Sequence, residues 1–130
     1  MYKCKHFAIH ELVPKKVYQY RGEKAWELMD DRLLITLDNL REKFGYMTIN
    51  NYQWSGLRTS DSPYYSPYSQ HSFGRAADCL FKKVSIDEVR SDILNNPDNE
   101  EYKFINAVEL KVNWLHIDIR NTGRIKAFNP

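Results

Sequence analysis

A chain of 130 residues with 42% apolar and 14% aromatic side chains has the size and composition of one compact domain, which excludes a multidomain machine and a disordered tail. Nineteen Lys plus Arg against seventeen Asp plus Glu leave a formal charge of +2 with no basic run, so charge demands neither nucleic acid nor an anionic membrane. No apolar run approaches the ~20 residues needed to cross a bilayer, and the expectation is one soluble domain over residues 1–130.

Met1 to His10 holds Lys3 and Lys5 but no following apolar stretch of signal-peptide length, so the expected location is a cytoplasm. Cys4 and Cys79 lie far apart and outside any C-x-x-C pattern, which predicts two free thiols and argues against a zinc ribbon or a thioredoxin-like site. Phe7 to Leu12 reads as a short helical turn that Pro14 ends. From Glu23 to Phe44, Ala25, Trp26, Met29, Leu33, Leu34, Leu37, Leu40 and Phe44 recur at spacings of three and four, with Gly45 where a C-cap falls. This spacing predicts the main amphipathic helix, with a break allowed near Asp30-Asp31.

Tyr46 to Tyr52 reads as a strand, the Ser/Tyr/Pro-rich segment Ser60 to Ser69 as a long loop, and Arg75 to Phe81 as a second strand. Ser85-Ile86-Asp87-Glu88 has the form of a capping box, in which the Ser85 hydroxyl accepts from the Glu88 N–H and the Glu88 carboxylate from the Ser85 N–H. The helix it opens carries Val89, Ile93 and Leu94 as its buried stripe and stops at Asn95-Asn96-Pro97. Phe104 to Leu110 and Trp114 to Arg120 suit an antiparallel hairpin across Lys111-Val112-Asn113. In its second strand Leu115, Ile117 and Ile119 share one face, and Trp114, His116, Asp118 and Arg120 the other. The fold class expected is α+β, an antiparallel sheet with two main helices packed against it.

The second face of that strand, with a Trp, a His, an Asp and an Arg in a row, is too polar to be buried cheaply. Zinc takes imidazole nitrogen and carboxylate oxygen, and a catalytic zinc has three protein ligands. Between Ser69 and Asp78 the chain offers His71 and, seven residues on, Asp78, separated by the small Gly74, Ala76 and Ala77; His116 can supply a third ligand. By spacing alone the metal signal is weak, and a surface His with a strand-terminal Asp is the plainer reading of the pair.

The same stretch resembles the S-x-H-x-x-G-x-A-x-D signature of the zinc D-alanyl-D-alanine carboxypeptidases and related phage endolysins, which share their fold with the hedgehog signalling domain. Ser69, His71, Gly74, Ala76 and Asp78 match its five specified positions. Upstream, Ser55-Gly56-Leu57-Arg58 is similar to the family's S-G-[YF]-R element, and downstream Trp114-Leu115-His116-Ile117-Asp118 is similar to its aromatic-x-H-x-D strand. The resemblance spans about Ile49 to Arg120. It implies a hedgehog/DD-peptidase-like sheet carrying the site, with His71, Asp78 and His116 as ligands of Zn²⁺. It also implies that Arg58 faces substrate, with a surface salt bridge as the alternative reading.

One position departs from the family. An acid three residues before the last His serves there as general base, and here that residue is Asn113, whose amide cannot accept a proton. Two carboxylates can replace it. Glu109 shares the His116 face if Lys111 and Val112 form a two-residue turn, and a turn one residue longer turns it away. Asp118 lies on the His116 face whatever the turn, about 6.5 Å further along the strand, where it can instead orient a ligand imidazole or pair with Arg58 or Arg120.

The aromatic loop Pro63-Tyr64-Tyr65-Ser66-Pro67-Tyr68 either walls a substrate groove or folds against its own domain, and Trp54 and Trp114 either line the cleft or fill the core. Cys79 alternates away from Asp78 and is expected to be buried, not a fourth ligand. The resemblance implies a monomeric zinc metallopeptidase cutting peptidoglycan stem or cross-bridge peptides, with no nucleic-acid or membrane partner, acting as a phage endolysin in the host cytoplasm or carried in a virion. The alternative is a catalytically weak or inactive relative that serves as a structural or cell-wall-binding module, and Asn113 is its main support.

Overall fold

The structure is a computed structural model that describes residues 1–52 and 54–130. Pro14 starts a helix: it stands at the N-cap of α1 (Lys15–Arg21), where a fixed φ and a missing N–H cost nothing. Val17 and Tyr18 are the α1 residues that lean on the core. The long apolar run from Glu23 then divides. Gly22–Leu28 winds as a 3-10 helix, Met29 is extended, and Asp30 caps α2 (Asp31–Phe44) by accepting from the Arg32 N–H at 2.9 Å. The break falls at Asp30 because a carboxylate satisfies an orphan N–H there that another helical turn would otherwise serve.

The strands are β1 (Met47–Thr48), β2 (Ala76–Phe81), β3 (Ala107–Glu109), β4 (Leu115–Asp118) and β5 (Lys126–Phe128), in the sheet order β1-β2-β4-β3-β5. The expected all-antiparallel sheet is corrected to a mixed one: β1–β2, β2–β4 and β3–β4 are antiparallel, but β5 runs parallel to β3. The cause is topological. β2 and β3 already flank β4, so the chain reverses after β4 and lands beyond β3, which makes it parallel to the strand it meets. The first predicted strand shrinks to two residues, and beyond it the Asn51 N–H donates to the Glu11 carbonyl at 3.3 Å while its side-chain amide bonds the carbonyls of Leu12 and Leu57.

α2 packs on β2, and α3 (Ile86–Asn95) on β4. Ser85 caps α3 as expected, accepting from the Glu88 N–H at 3.1 Å, although the Glu88 carboxylate accepts from the Ser85 hydroxyl and not from its N–H. Leu115, Ile117 and Ile119 enter the core with Leu33, Leu34, Leu37, Leu40, Val89 and Ile93, so β4 turns its other face to the site. Cys79 is fully buried on the core side and Cys4 half-buried, both as free thiols. No helix among the described residues is long and apolar enough to cross a membrane.

Candidate metal centre

Three local structures bring three side chains together. Gln70–Phe73 is a single 3-10 turn capped by Ser69, whose hydroxyl accepts from the His71 N–H at 3.2 Å, and it buries His71. Gly74 closes the turn at φ +67°, and the chain runs straight into β2, where Asp78 pairs directly with His116 of β4. The ligand atoms of His71, Asp78 and His116 all lie within 4.8 Å of one another. Asp78 Oδ1 sits 3.4 Å from His71 Nε2 and 2.9 Å from His116 Nδ1.

The far nitrogen of each ring is already engaged. His71 Nδ1 lies 2.8 Å from the Gly56 carbonyl, which can only accept, so Nδ1 carries the proton and Nε2 is offered to the centre. Gly56 is itself held: its N–H donates to Asn51 Oδ1, while the Asn51 amide donates to the carbonyls of Leu12 at 2.9 Å and Leu57 at 2.8 Å. His116 Nε2 meets Asp118 Oδ2 at 2.8 Å, and Asp118 in turn receives Arg120 through Nε at 2.8 Å and Nη2 at 2.6 Å. This hydrogen-bonded backing of both rings is what metal-binding histidines ordinarily have.

The donors fit a first-row divalent ion. Ligand atoms about 2.0–2.1 Å from a tetrahedral centre are roughly 3.3 Å apart, close to the two separations at Asp78. The buried His71–Asp78–His116 group could therefore hold a metal ion.

Burial alone would raise the Asp78 carboxyl, but hydrogen bonds from His116 and His71 outweigh it and hold the group at about 2. Asp118 is also about 2, because Arg120 and His116 outweigh its burial. For His116 burial acts downward, and its bonds to Asp118 and Asp78 prevail, raising it to about 9. Metal-free protein at neutral pH thus carries an imidazolium between two carboxylates, and an ion reaching Nδ1 must displace a proton. A raised His pKa contributes stability that is complete below its unfolded value near 6.5 and lost as pH rises through 9, on the order of 3 kcal/mol. Melts of the metal-free protein are expected to drop between pH 6.5 and 9, while the shift produced by added zinc grows over the same range; a metal-free melt flat across that window overturns the account.

These side chains floor a cleft of about 400 Å³. Arg58 stands on its wall, with Nε donating to the Trp54 carbonyl at 2.7 Å and Nη2 to Asp78 Oδ2 at 3.2 Å. Glu109 also lines it. The β3–β4 register pairs Ala107 with Asp118 and Val108 with Ile117, and one further step sets Glu109 across from His116. The connection is two residues longer than the tight turn considered from sequence, and a shift of two preserves the face. Glu109 lies within electrostatic reach of Arg58 and Arg120.

Asp118, the other candidate acid, is fully buried with both oxygens engaged by Arg120 and His116, which suits it to holding the ring and leaves it poorly placed to take a proton. It pairs with Arg120, whereas Arg58 pairs with Asp78. Asn113 is exposed and lies outside the cleft lining. Tyr64 and Tyr68 of the aromatic loop line the cleft and remain exposed, and Trp114, 39% exposed, stands at its edge, so these rings wall a groove and fill no core. The Trp54 ring, also exposed, leans on Tyr64 at 4.9 Å.

Two contributors are not announced by the sequence. Asn51 fell within a predicted strand, and its buried triple bonding has no pattern to read. Phe128 enters from β5, edge-on to His116 at 5.5 Å and beneath Arg120 at 4.7 Å. Comparison of the chain with protein-family models, with curated proteins and with solved structures finds no match.

Proposed function

We propose that the chain is a zinc-dependent peptidase of peptidoglycan stem or cross-link peptides, of the kind phages use as an endolysin or carry in the virion. The observation that carries this reading is the convergence of His71, Asp78 and His116, from two of the three ordered motifs, on the floor of a cleft that Arg58 of the third motif also lines. Two imidazoles and one carboxylate suit zinc, and three protein donors are the number of a catalytic site, not of a closed structural one.

Bound there, zinc would supply Lewis acidity, polarising a carbonyl and making water more acidic. The chain's own groups do the rest. Glu109 accepts the proton of the attacking water and returns it to the leaving amine. Arg58 faces the negative charge that develops on the carbonyl oxygen, and Asp118 fixes the His116 ring. Asp78 and Asp118 are committed to their partners, so Glu109 is the carboxylate left for proton transfer among those lining the cleft.

Asn113 favours a second reading, a relative without catalysis that binds or builds at the cell wall. Turbidity of purified peptidoglycan separates the two. Zinc-loaded protein is expected to clear the suspension, a chelator to stop the clearing, and added zinc to restore it. Protein that holds zinc, leaves the suspension turbid and releases no new amine or amino acid from it is the non-catalytic relative.

A further inference from the structure

Phe128 touches both ends of the chain of bonds behind His116. Its ring stands at 87° to the imidazole, with centroids 5.5 Å apart, and the Arg120 guanidinium lies 4.7 Å from its centroid. Arg120 grips Asp118 through two nitrogens, and Asp118 grips His116 Nε2. The contacts close a ring: Phe128, Arg120, Asp118, His116 and back to Phe128.

From this loop we infer that Phe128 is a positioning residue of the metal centre, by which the C-terminal strand β5 sets metal affinity without supplying a ligand. The inference rests on the metal reading above. An aromatic ring presents a negative face and a positive edge, so it can hold a guanidinium over its face while meeting an imidazole at right angles. With Arg120 held on that face, its planar fork points at Asp118, and the far side of His116 is fixed. Loss of the ring frees Arg120 and the imidazole together, since each is held partly by Phe128 and partly by the other through Asp118.

The strand that delivers this ring is weakly held. It is three residues long, lies at the sheet edge and is joined to β3 through pairs that set Phe128 beside Glu109. The Leu110 N–H donates to the Phe128 carbonyl at 2.6 Å, and the Lys126 N–H to the Asn106 carbonyl at 2.9 Å. If β5 raises metal affinity, the metal must steady β5 by the same free energy.

Zinc affinity, measured by competition with a chromophoric chelator, tests the first half of this linkage. Phe128→Leu keeps an apolar side chain in the strand and loses the aromatic face, so its affinity is expected to fall about tenfold, in line with losses behind other metal ligands. Phe128→Tyr restores the face and with it the affinity. Amide exchange of the unsubstituted protein tests the second half: zinc is expected to slow the Leu110 N–H more than the amides of α1. Parent affinity in Phe128→Leu, or equal slowing at Leu110 and α1, overturns this inference alone. An unsubstituted chain that takes up no zinc overturns the metal centre as well.

Discussion

Under the proposed peptidase function, Glu109→Gln is expected to slow peptidoglycan hydrolysis by about 10²–10⁴ while zinc uptake stays at the parent level. Glutamine keeps the size and shape of the side chain and removes only the capacity to accept a proton. Glu109 lies outside the His71–Asp78–His116 ligand group, so the metal should not notice the change. Asp118→Asn has the opposite signature. It disturbs the acceptor of His116 Nε2, and the expected loss is in zinc affinity first, about 10- to 100-fold, with activity following occupancy. Rates measured at saturating zinc separate the two: Asp118→Asn recovers much of its activity there and Glu109→Gln recovers none. If Glu109→Gln hydrolyses as fast as the parent, Glu109 is not the base.

These roles were legible from sequence to unequal degrees. The two faces of β4 follow from alternation alone, because Leu115, Ile117 and Ile119 can satisfy only one side, and the structure buries those three while setting His116 opposite Asp78. Which acid stands on the cleft was not legible, since it depends on the length of the Leu110–Trp114 connection. Lys111 there adopts a positive φ of 59°, and Arg90 of α3 reaches across to the carbonyls of Val112 and Trp114 at 2.9 and 3.0 Å. Neither contact leaves a local pattern. Likewise β5 is spelled by a polar stretch with few apolar residues, Ile125, Ala127 and Phe128, and it exists because β3 offers an open edge. α1 hides for a related reason: its seven residues are mostly polar, and Pro14 looks like a stop until the chain beyond it is seen to wind.

The motif residues divide in the same way between chemistry and support. His71 and Asp78 face the centre, whereas Ser69 caps the turn that carries His71 and Ala76 leaves room opposite the buried Asp118. Gly56 serves through its backbone, donating to Asn51 and accepting from His71. A signature of this kind therefore records the path of the chain as much as its reactive groups.

Gly74 gives that point its sharpest test. Gly74→Ala is expected to destabilise the protein by about 4 kcal/mol or more, near the top of the range for single substitutions. Gly22→Ala should cost less, about 1–3 kcal/mol, the strain of a residue with a Cβ at φ +57° and ψ −135°. Both glycines have positive φ, +67° and +57°. They differ in what a Cβ would meet: nothing within 4 Å at Gly22, but at Gly74 the Leu28 carbonyl oxygen at 2.0 Å and the Met29 Cα at 3.1 Å. Those are backbone atoms at the end of the 22–28 helix, fixed beside Gly74 by the Asp30 N–H donating to its carbonyl at 3.0 Å, and they cannot retreat without opening that junction. Because His71 lies just before Gly74 and Asp78 just after it, the surviving folded fraction of Gly74→Ala should also bind zinc weakly. Denaturant titrations of the two variants decide the matter, and equal losses at both positions would mean that close approach to Leu28 plays no part in why glycine stands at residue 74.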